Sequence, residues 1–296
     1  MPSHITVPRA RPDLDGLACA IAYAELLRVQ SIPARSWIAD APDPEACFAA
    51  DRLGVTLDQA PPPPDCAFIL VDASDLRGMP ASLDPLRVVE VIDHRLHHRA
   101  AELFPHAALC IEAVGAAATL IAERYKARGV VPSVVAAKLL QAAIMSNTQA
   151  LRGTITTERD RAAYHALAAN FPLDRAFLEA QFDARRRAIL HDPTAAIELE
   201  RKDFDHADGP YILSQLEFPG ARHHVDDWLP ILGGLGPRAM LNLVDVEATV
   251  SLLLVPDATF RAWVSRHTGL SFDGPLAISP GILLRKQIVA RLEGRS

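Results

Sequence analysis

The sequence predicts a two-domain α/β protein, with a parallel-sheet N-terminal domain over 1–185 and a smaller mixed α+β domain over 194–296. Three observations carry this. A chain of 296 residues exceeds what one core commonly covers at roughly 100–200 residues per domain. Its first half alternates β-branched apolar runs with helically spaced apolar residues, the arrangement that builds a parallel sheet covered by helices on both faces. From about Thr194 the texture changes to longer β-type segments, and the charged stretch from Ala184-Arg-Arg-Arg187 to Pro193 is the expected break.

The elements follow in order. His4 to Val7 is a short strand, and Asp15 to Val29 a helix with Leu17, Ile21, Ala24 and Leu27 on one face and Asp15 placed to cap the first turn. Ala34 to Ala39 reads as the next strand and Pro44 to Leu53 as a short helix. The Pro61 to Pro64 run is a stiff connector leading into the apolar strand Cys66 to Asp72. Val88 to Asp93 repeats that pattern, an apolar run ending on aspartate. Helices are expected at Gly115 to Arg128, Pro132 to Met145, Thr157 to Asn170 and Leu173 to Leu190. In the second domain, Ala195 to Asp203, Tyr211 to Glu217, Ala239 to Val246 and Val250 to Val255 read as strands, with helices near His224 to Leu232 and Thr259 to His267. Gly233-Gly-Leu-Gly236 lacks the strand-to-helix setting of a phosphate loop and reads as a turn.

Composition narrows the function. Half of the residues are apolar, yet no apolar run reaches the roughly 18 residues of a membrane span. Met1 to Arg11 has no apolar block of a secretory signal, so a cytoplasmic location is expected. Cys19, Cys47, Cys66 and Cys110 are far apart and read as reduced core thiols. The net charge of −6 argues against broad nucleic-acid binding and for a small ligand gripped locally. Neither a G-x-S-x-G elbow nor a P-loop is present, which removes serine-hydrolase and kinase readings.

Three β-type runs end in or lead into aspartate: Val7 to Asp13 and Asp15, Val71 to Asp72, and Ile92 to Asp93-His94. Each aspartate alone reads as a helix cap or turn former. Together they would meet, because the carboxyl ends of strands in an open parallel sheet face one crevice. Gathered carboxylates raise one another's pKa unless a cation joins them. Carboxylates with a histidine and no thiols suit Mn²⁺ or Mg²⁺ better than structural zinc.

Pro12-Asp13-Leu14-Asp15, Val71-Asp72, Asp93-His94, Gly115-Ala-Ala-Ala-Thr119 and Ile144-Met-Ser-Asn147-Thr148 resemble, in order and spacing, the motifs of the DHH phosphoesterases. The similarity is greatest to the manganese-dependent inorganic pyrophosphatase and exopolyphosphatase branch. In the second domain, Arg201-Lys202-Asp203-Phe204, Ile212-Leu-Ser-Gln215-Leu-Glu217 and Pro280-Gly-Ile-Leu-Leu-Arg285-Lys286-Gln287 look like that branch's lysine strand, S-Q-x-E strand and terminal Ser-Arg-Lys motif. The resemblance implies an active-site cleft between the domains. It implies metal ligands or their close supports at Asp13, Asp15, Asp72, Asp93 and His94, and a cationic grip on phosphate at Lys202, Arg285 and Lys286. It also implies metal-assisted attack of water on phosphorus, and a possible homodimer through the N-terminal domain.

The sequence departs from the family in four places. Arg9 stands where the family has a metal-binding histidine, Asn147 where it has a metal-binding aspartate, and Arg95 where it has the last histidine of Asp-His-His. Leu284 replaces the terminal serine. A guanidinium has no lone pair for a metal, and an amide oxygen is a poorer ligand than a carboxylate. The three site replacements each add about one positive charge, which offsets an absent divalent ion. One ion rather than two is therefore expected, on Asp13, Asp15, Asp72, His94 and Asn147, with Arg9 and Arg95 binding phosphate in place of the other. His97 or His98 is a further candidate for the missing histidine, whereas His223, His224, Asp226 and Asp227 read as a helix start. The expected activity is hydrolysis of pyrophosphate or short polyphosphate. The rival is a non-catalytic phosphate or nucleotide binder that has lost a metal site.

Overall fold

A computed structural model of the chain describes residues 3–95 and 98–294. It divides into two compact units, Met1–Gln181 and Phe182–Ser296, with the division inside one helix, Arg175–His191 (α7).

In the first unit, β1 (His4–Val7), β2 (Ala34–Ser36), β3 (Ala67–Val71), β4 (Val88–Asp93) and β5 (Ala108–Ile111) form one sheet in the order β2-β1-β3-β4-β5. Every pairing is parallel. The chain leaves β1 for β2 on one side and returns to β3 on the other, so the switch point lies at the carboxyl ends of β1 and β3. That end carries Asp13 and Asp72, with Asp93 closing β4.

Side-chain alternation gives the sheet two apolar faces. Ile69, Val71 and Ile92 pack under α1 (Leu14–Val29), α2 (Pro44–Arg52), α4 (Ala117–Ala127) and α5 (Val134–Asn147). Ile5, Val7, Phe68, Leu70 and Val91 face the other way, toward Trp37, Leu83 and Phe104. The expectation of helices on both faces is thus corrected: the second face is closed by loops and one turn of helix, α3 (Ala100–Leu103). Neither α3 nor β5 is predicted by the sequence, because both are too short to show a period.

Helix starts follow local chemistry. Asp43 caps α2, Ser133 caps α5, and Thr157 with Asp160 forms a reciprocal capping box at α6 (Glu158–Ala168). For α1 the cap is Asp13, whose Oδ1 accepts from Gly16 N at 2.9 Å, and not Asp15 as the sequence suggests. In α4 the N-cap Ala116 has no capping side chain of its own.

Gly115 marks the tightest approach in this unit. A Cβ there would lie 2.6 Å from Thr148 Cγ2 and 2.9 Å from Asp160 Oδ2. Asp160 is buried, and its Oδ1 and Oδ2 accept from Gly115 N at 3.0 and 2.9 Å while its Oδ1 takes Thr119 Oγ1 at 2.6 Å. Gly115→Ala is therefore expected to destabilise the protein by about 1–3 kcal/mol through overpacking. A urea titration reads this directly, and an unchanged midpoint would show that the neighbours give way.

The second unit holds a six-stranded sheet in the order β10-β11-β9-β8-β7-β6, with only β7 and β8 parallel. Its strands are β6 (Lys202–Phe204), β7 (Tyr211–Phe218), β8 (Ala239–Asp245), β9 (Val250–Leu254), β10 (Phe272–Asp273) and β11 (Leu276–Pro280). Leu216, Phe218, Leu241 and Leu243 face α8 (Pro193–Leu199) and α9 (Val225–Leu235). Tyr211, Leu213, Met240 and Leu253 face α10 (Ala258–Thr268) and α11 (Arg285–Leu292).

Two expectations fail in this unit. Residues 193–199 are helix and not strand: Asp192 accepts from Ala195 N at 3.0 Å as an N-cap, and Pro193 fills the first turn. Gly233 and Gly234 lie within α9, and the chain turns only at Gly236, where φ is 122°. The cysteines are free, but Cys47 and Cys110 are only partly buried. Among the described residues no helix is long and apolar enough to cross a membrane.

Candidate metal centre

Asp15, Asp72 and His94 each direct a ligand atom to one point at the switch of the first sheet, all within 4.8 Å of one another. His94 Nε2 lies 3.5 Å from Asp72 Oδ1 and 4.0 Å from Asp15 Oδ2. Three different elements supply these groups: the first turn of α1, the residue after β3, and the residue after β4.

Each is held by its own device. Asp72 takes a left-handed φ of 51°, a conformation uncommon for a non-glycine residue, and its N–H donates to Ile92 O at 2.8 Å. His94 Nδ1 lies 3.1 Å from Val114 O, and since a carbonyl only accepts, Nδ1 carries the hydrogen. This leaves Nε2 as the nitrogen presented to the carboxylates, the arrangement of a metal-binding histidine. Asp93 accepts from the His94 backbone N–H at 2.7 Å, so it fixes the residue and not the ring.

Asp15 is fully buried and reaches across to α4. Its Oδ2 accepts from Ala117 N at 2.7 Å and from Asn147 Nδ2 at 2.6 Å, and its Oδ1 from Ala118 N at 2.8 Å. Asp15 thus supplies the cap that α4 lacks. Negative charge is favoured there by the helix dipole.

Asn147 ends α5 and is followed by Gln149, Ala150 and Leu151, all left-handed at φ 53°, 57° and 62°. Such residues cost about 1–3 kcal/mol each, so the surrounding structure must hold them. Ala150 N to Met145 O at 2.8 Å and Gly153 N to Thr148 O at 2.8 Å do so. On α5 the preceding Ser146 donates to the buried Glu45 at 2.9 Å, which fixes the helix end that carries Asn147.

The two arginines part company. Arg95 Nη1 lies 3.1 Å from both oxygens of buried Asp93 and donates to Asp72 O, and its Nη2 lies 3.3 Å from Asp72 Oδ1. Arg9 turns to Asp75 instead, with Nη2 to Oδ1 at 3.2 Å, and donates to Arg77 O. Asp13 caps α1 with its surface open to solvent, near enough that its charge is felt at Asp15. His98 is exposed and accepts from Ala100 N at 3.3 Å, and His97 lies outside the described residues.

In the second unit Arg285 opens α11, and its backbone N–H donates to Gln215 Oε1. Its guanidinium is taken by Glu200, Nη1 to the carbonyl at 2.6 Å and Nη2 to Oε2 at 3.5 Å. Lys286 and Lys202 are exposed, the latter at the start of β6. Sequence reasoning missed Asn242, fully buried, which donates to Gln215 Oε1 at 2.9 Å and to Leu283 O at 2.8 Å. The available signal was a lone polar residue in the apolar run Met240 to Val244. It also missed Asp75, the anchor of Arg9, which no local pattern marks.

The donor set fits a divalent cation. Asp72 Oδ1 is buried and accepts no well-formed hydrogen bond. Burial, with repulsion from Asp72, pushes the Asp15 carboxyl up to about 7. Burial pulls the His94 imidazole down, but the Asp72, Asp15 and Asp93 carboxylates outweigh it and raise it to about 9. At Asp72 burial is outweighed by Arg95 and then His94, which hold the carboxyl below its ordinary value.

A pH signature follows. Asp15, raised from 3.8, loses stability on ionising, and His94, raised from 6.5, loses its stabilising charge as pH climbs toward 9. Asp72 works in the opposite sense, but only below its ordinary 3.8. Metal-free protein is expected to melt at progressively lower temperature from about pH 5 to pH 9. A cation competes with the same protons, so Mn²⁺ should bind more tightly and raise the melting temperature more as pH rises over that range. Thermal melts with and without Mn²⁺ check both trends, and a flat metal effect would contradict them.

No family model matches the chain. It is 32% identical over 175 residues to the protein named probable manganese-dependent inorganic pyrophosphatase of Shouchella clausii, covering 57% of this chain and 55% of that one. With the protein of the same name from Streptococcus mutans it shares 31% over 167 residues, covering 53% and 52%. The chain thus spans about half the length of the curated relatives it matches. In fold it matches the crystal structure named "Methanococcus jannaschii putative family II inorganic pyrophosphatase", with TM-score 0.74, 22% identity and 99% of each chain covered. It also matches an exopolyphosphatase-related protein of Bacteroides fragilis, with TM-score 0.51 and 11% identity, over 99% of this chain and 91% of that one.

Proposed function

We propose that the chain, similar over about half its length to proteins named probable manganese-dependent inorganic pyrophosphatase, is a metal-dependent phosphohydrolase of the DHH phosphoesterase type acting on pyrophosphate or short polyphosphate. One Mn²⁺ or Mg²⁺ is held by Asp15, Asp72 and His94, with Asn147 beside them. The observation that carries this reading is the orphaned Asp72 Oδ1, buried between His94 Nε2, the ring nitrogen that Val114 O does not engage, and a second buried carboxylate. A divalent ion at that point supplies Lewis-acid polarisation of phosphoryl oxygens and eases deprotonation of the attacking water.

The chain's own residues supply the rest. Asp13 adds negative charge at the solvent side of the cluster. Asp93 holds His94 by its backbone and Arg95 by its side chain. Arg95, with its side chain 35% exposed, keeps an open edge for a phosphoryl oxygen. The family resemblance assigns Lys202, Arg285 and Lys286 to phosphate as charge-assisted donors, whereas Arg9 is held by Asp75 and the Arg77 carbonyl. For Arg285 this requires exchange of Glu200, a half-exposed partner, for the incoming phosphate. Arg285→Ala is accordingly expected to raise KM for pyrophosphate by about tenfold or more, the size of a lost charged hydrogen bond. Steady-state kinetics reads this, and an unchanged KM would remove Arg285 from the site.

The deciding experiment is an assay of purified protein with Mn²⁺, Mg²⁺ and Co²⁺ against pyrophosphate, tripolyphosphate and nucleotides. Turnover of the first two that a chelator abolishes is the expected result. Phosphate binding without turnover under every ion would replace the hydrolase with a binder.

A further inference from the structure

We propose that Arg95 is a built-in second cation of the centre, which closes one side of Asp72 and so holds the site to a single divalent ion. The inference rests on the metal-dependent reading above, and it assigns to this one residue the reason for the ion count.

A carboxylate has lone pairs enough for two cations. At Asp72 the buried Oδ1 faces His94 Nε2 at 3.5 Å, while Arg95 takes the other oxygen, its Nη2 donating to Oδ2 at 3.4 Å. The His94 direction, shared with Asp15, is open to an ion because neither neighbour fills it with a hydrogen bond. The Oδ2 side is closed by Arg95, a group that carries positive charge and cannot act as a ligand.

Arg95 differs from a rim ion pair in what it touches. Its partners are two carboxylates whose side chains are 0% and 5% exposed, and a third contact, to Asp72 O, fixes the guanidinium plane. Removing one partner from such a set leaves a buried charge uncompensated, which is costly. Asp72 and Asp93 without Arg95 would form a second anionic site directly beside the first. Arg9 does not share this role: its guanidinium is committed to Asp75 and Arg77 O.

Mn²⁺ binding to the full chain tests the inference without relying on activity. Wild-type protein should take up one Mn²⁺ per chain by equilibrium dialysis and show the electron paramagnetic resonance signal of isolated ions. Arg95→Gln removes the charge and should admit a second Mn²⁺, seen as a doubled stoichiometry and a spin-coupled signal. Arg95→Lys keeps the charge and should bind one. Should Arg95→Gln fold only when Mn²⁺ is present, two ions in the folded protein support the inference equally and one ion overturns it. Two ions in the wild type, with Mn²⁺-dependent hydrolysis intact, overturn the role of Arg95 and leave the proposed function standing. A wild type that binds no Mn²⁺ overturns both.

Discussion

Asp72→Asn is expected to lower kcat/KM for pyrophosphate by about a thousandfold or more while leaving the fold in place, because it removes charge and a ligand atom but little else. Asparagine is the same size and tolerates the left-handed backbone that position 72 requires at φ 51°. Arg95 retains Asp93, and the backbone bond from residue 72 to Ile92 O is untouched. Stability should therefore change by no more than about 1–2 kcal/mol, within the range of an ordinary substitution. The same change removes the largest of the carboxylate influences on His94, so its raised pKa should fall back toward the ordinary 6.5. Titrating the imidazole by NMR in metal-free protein reads this shift. A variant that kept Mn²⁺ affinity and activity would show that Asp72 is only a strained turn residue.

Asp15→Ala should do the reverse, failing first in stability. Asp15 satisfies Ala117 N, Ala118 N and Asn147 Nδ2 inside the core. Each buried donor left without a partner costs about 1–3 kcal/mol, and α4 then begins without any cap. Near pH 6, below its raised pKa of about 7, the Asp15 carboxyl is largely uncharged, so the loss comes from its hydrogen-bonding role and not from charge. The net loss expected is about 3–5 kcal/mol, measured by urea unfolding of metal-free protein near pH 6. Asp15→Asn restores an acceptor for α4 but not the charge, so it should recover part of the stability and none of the Mn²⁺ affinity. Equal stability of Asp15→Ala and wild type would mean that α4 does not depend on this carboxylate.

These two aspartates show what the sequence made legible. The strand-end positions of Asp72 and Asp93 could be read because apolar runs announce buried parallel strands and the fold class fixes which ends face the crevice. The division of labour within Pro12-Asp13-Leu14-Asp15 could not. Both aspartates stand at a helix start, and nothing local says that Asp13 caps its own helix while Asp15 caps another 102 residues away. Arg9 is a similar case: the family resemblance assigns it to the cluster, but Asp75, which captures it, is an ordinary turn residue in sequence. In the second unit the start of α8 carried a readable sign, Asp192-Pro193, which the β-like composition after it obscured. The short elements α3, β5 and β10 left no period at all, and only tertiary pairing places them.

One charge pattern links the contacts around the cluster. Asn147 donates to Asp15, and Arg95 pairs with Asp72 and Asp93. Both contacts surround the Asp15, Asp72 and His94 triangle with donors.

The most direct measurement is anomalous diffraction at the manganese edge from crystals of the protein grown with Mn²⁺. A peak within the triangle of the Asp15 carboxylate, Asp72 Oδ1 and His94 Nε2 is the expected result. Three vacant ligand atoms in the presence of saturating Mn²⁺ would contradict the assignment of this cluster as the metal centre.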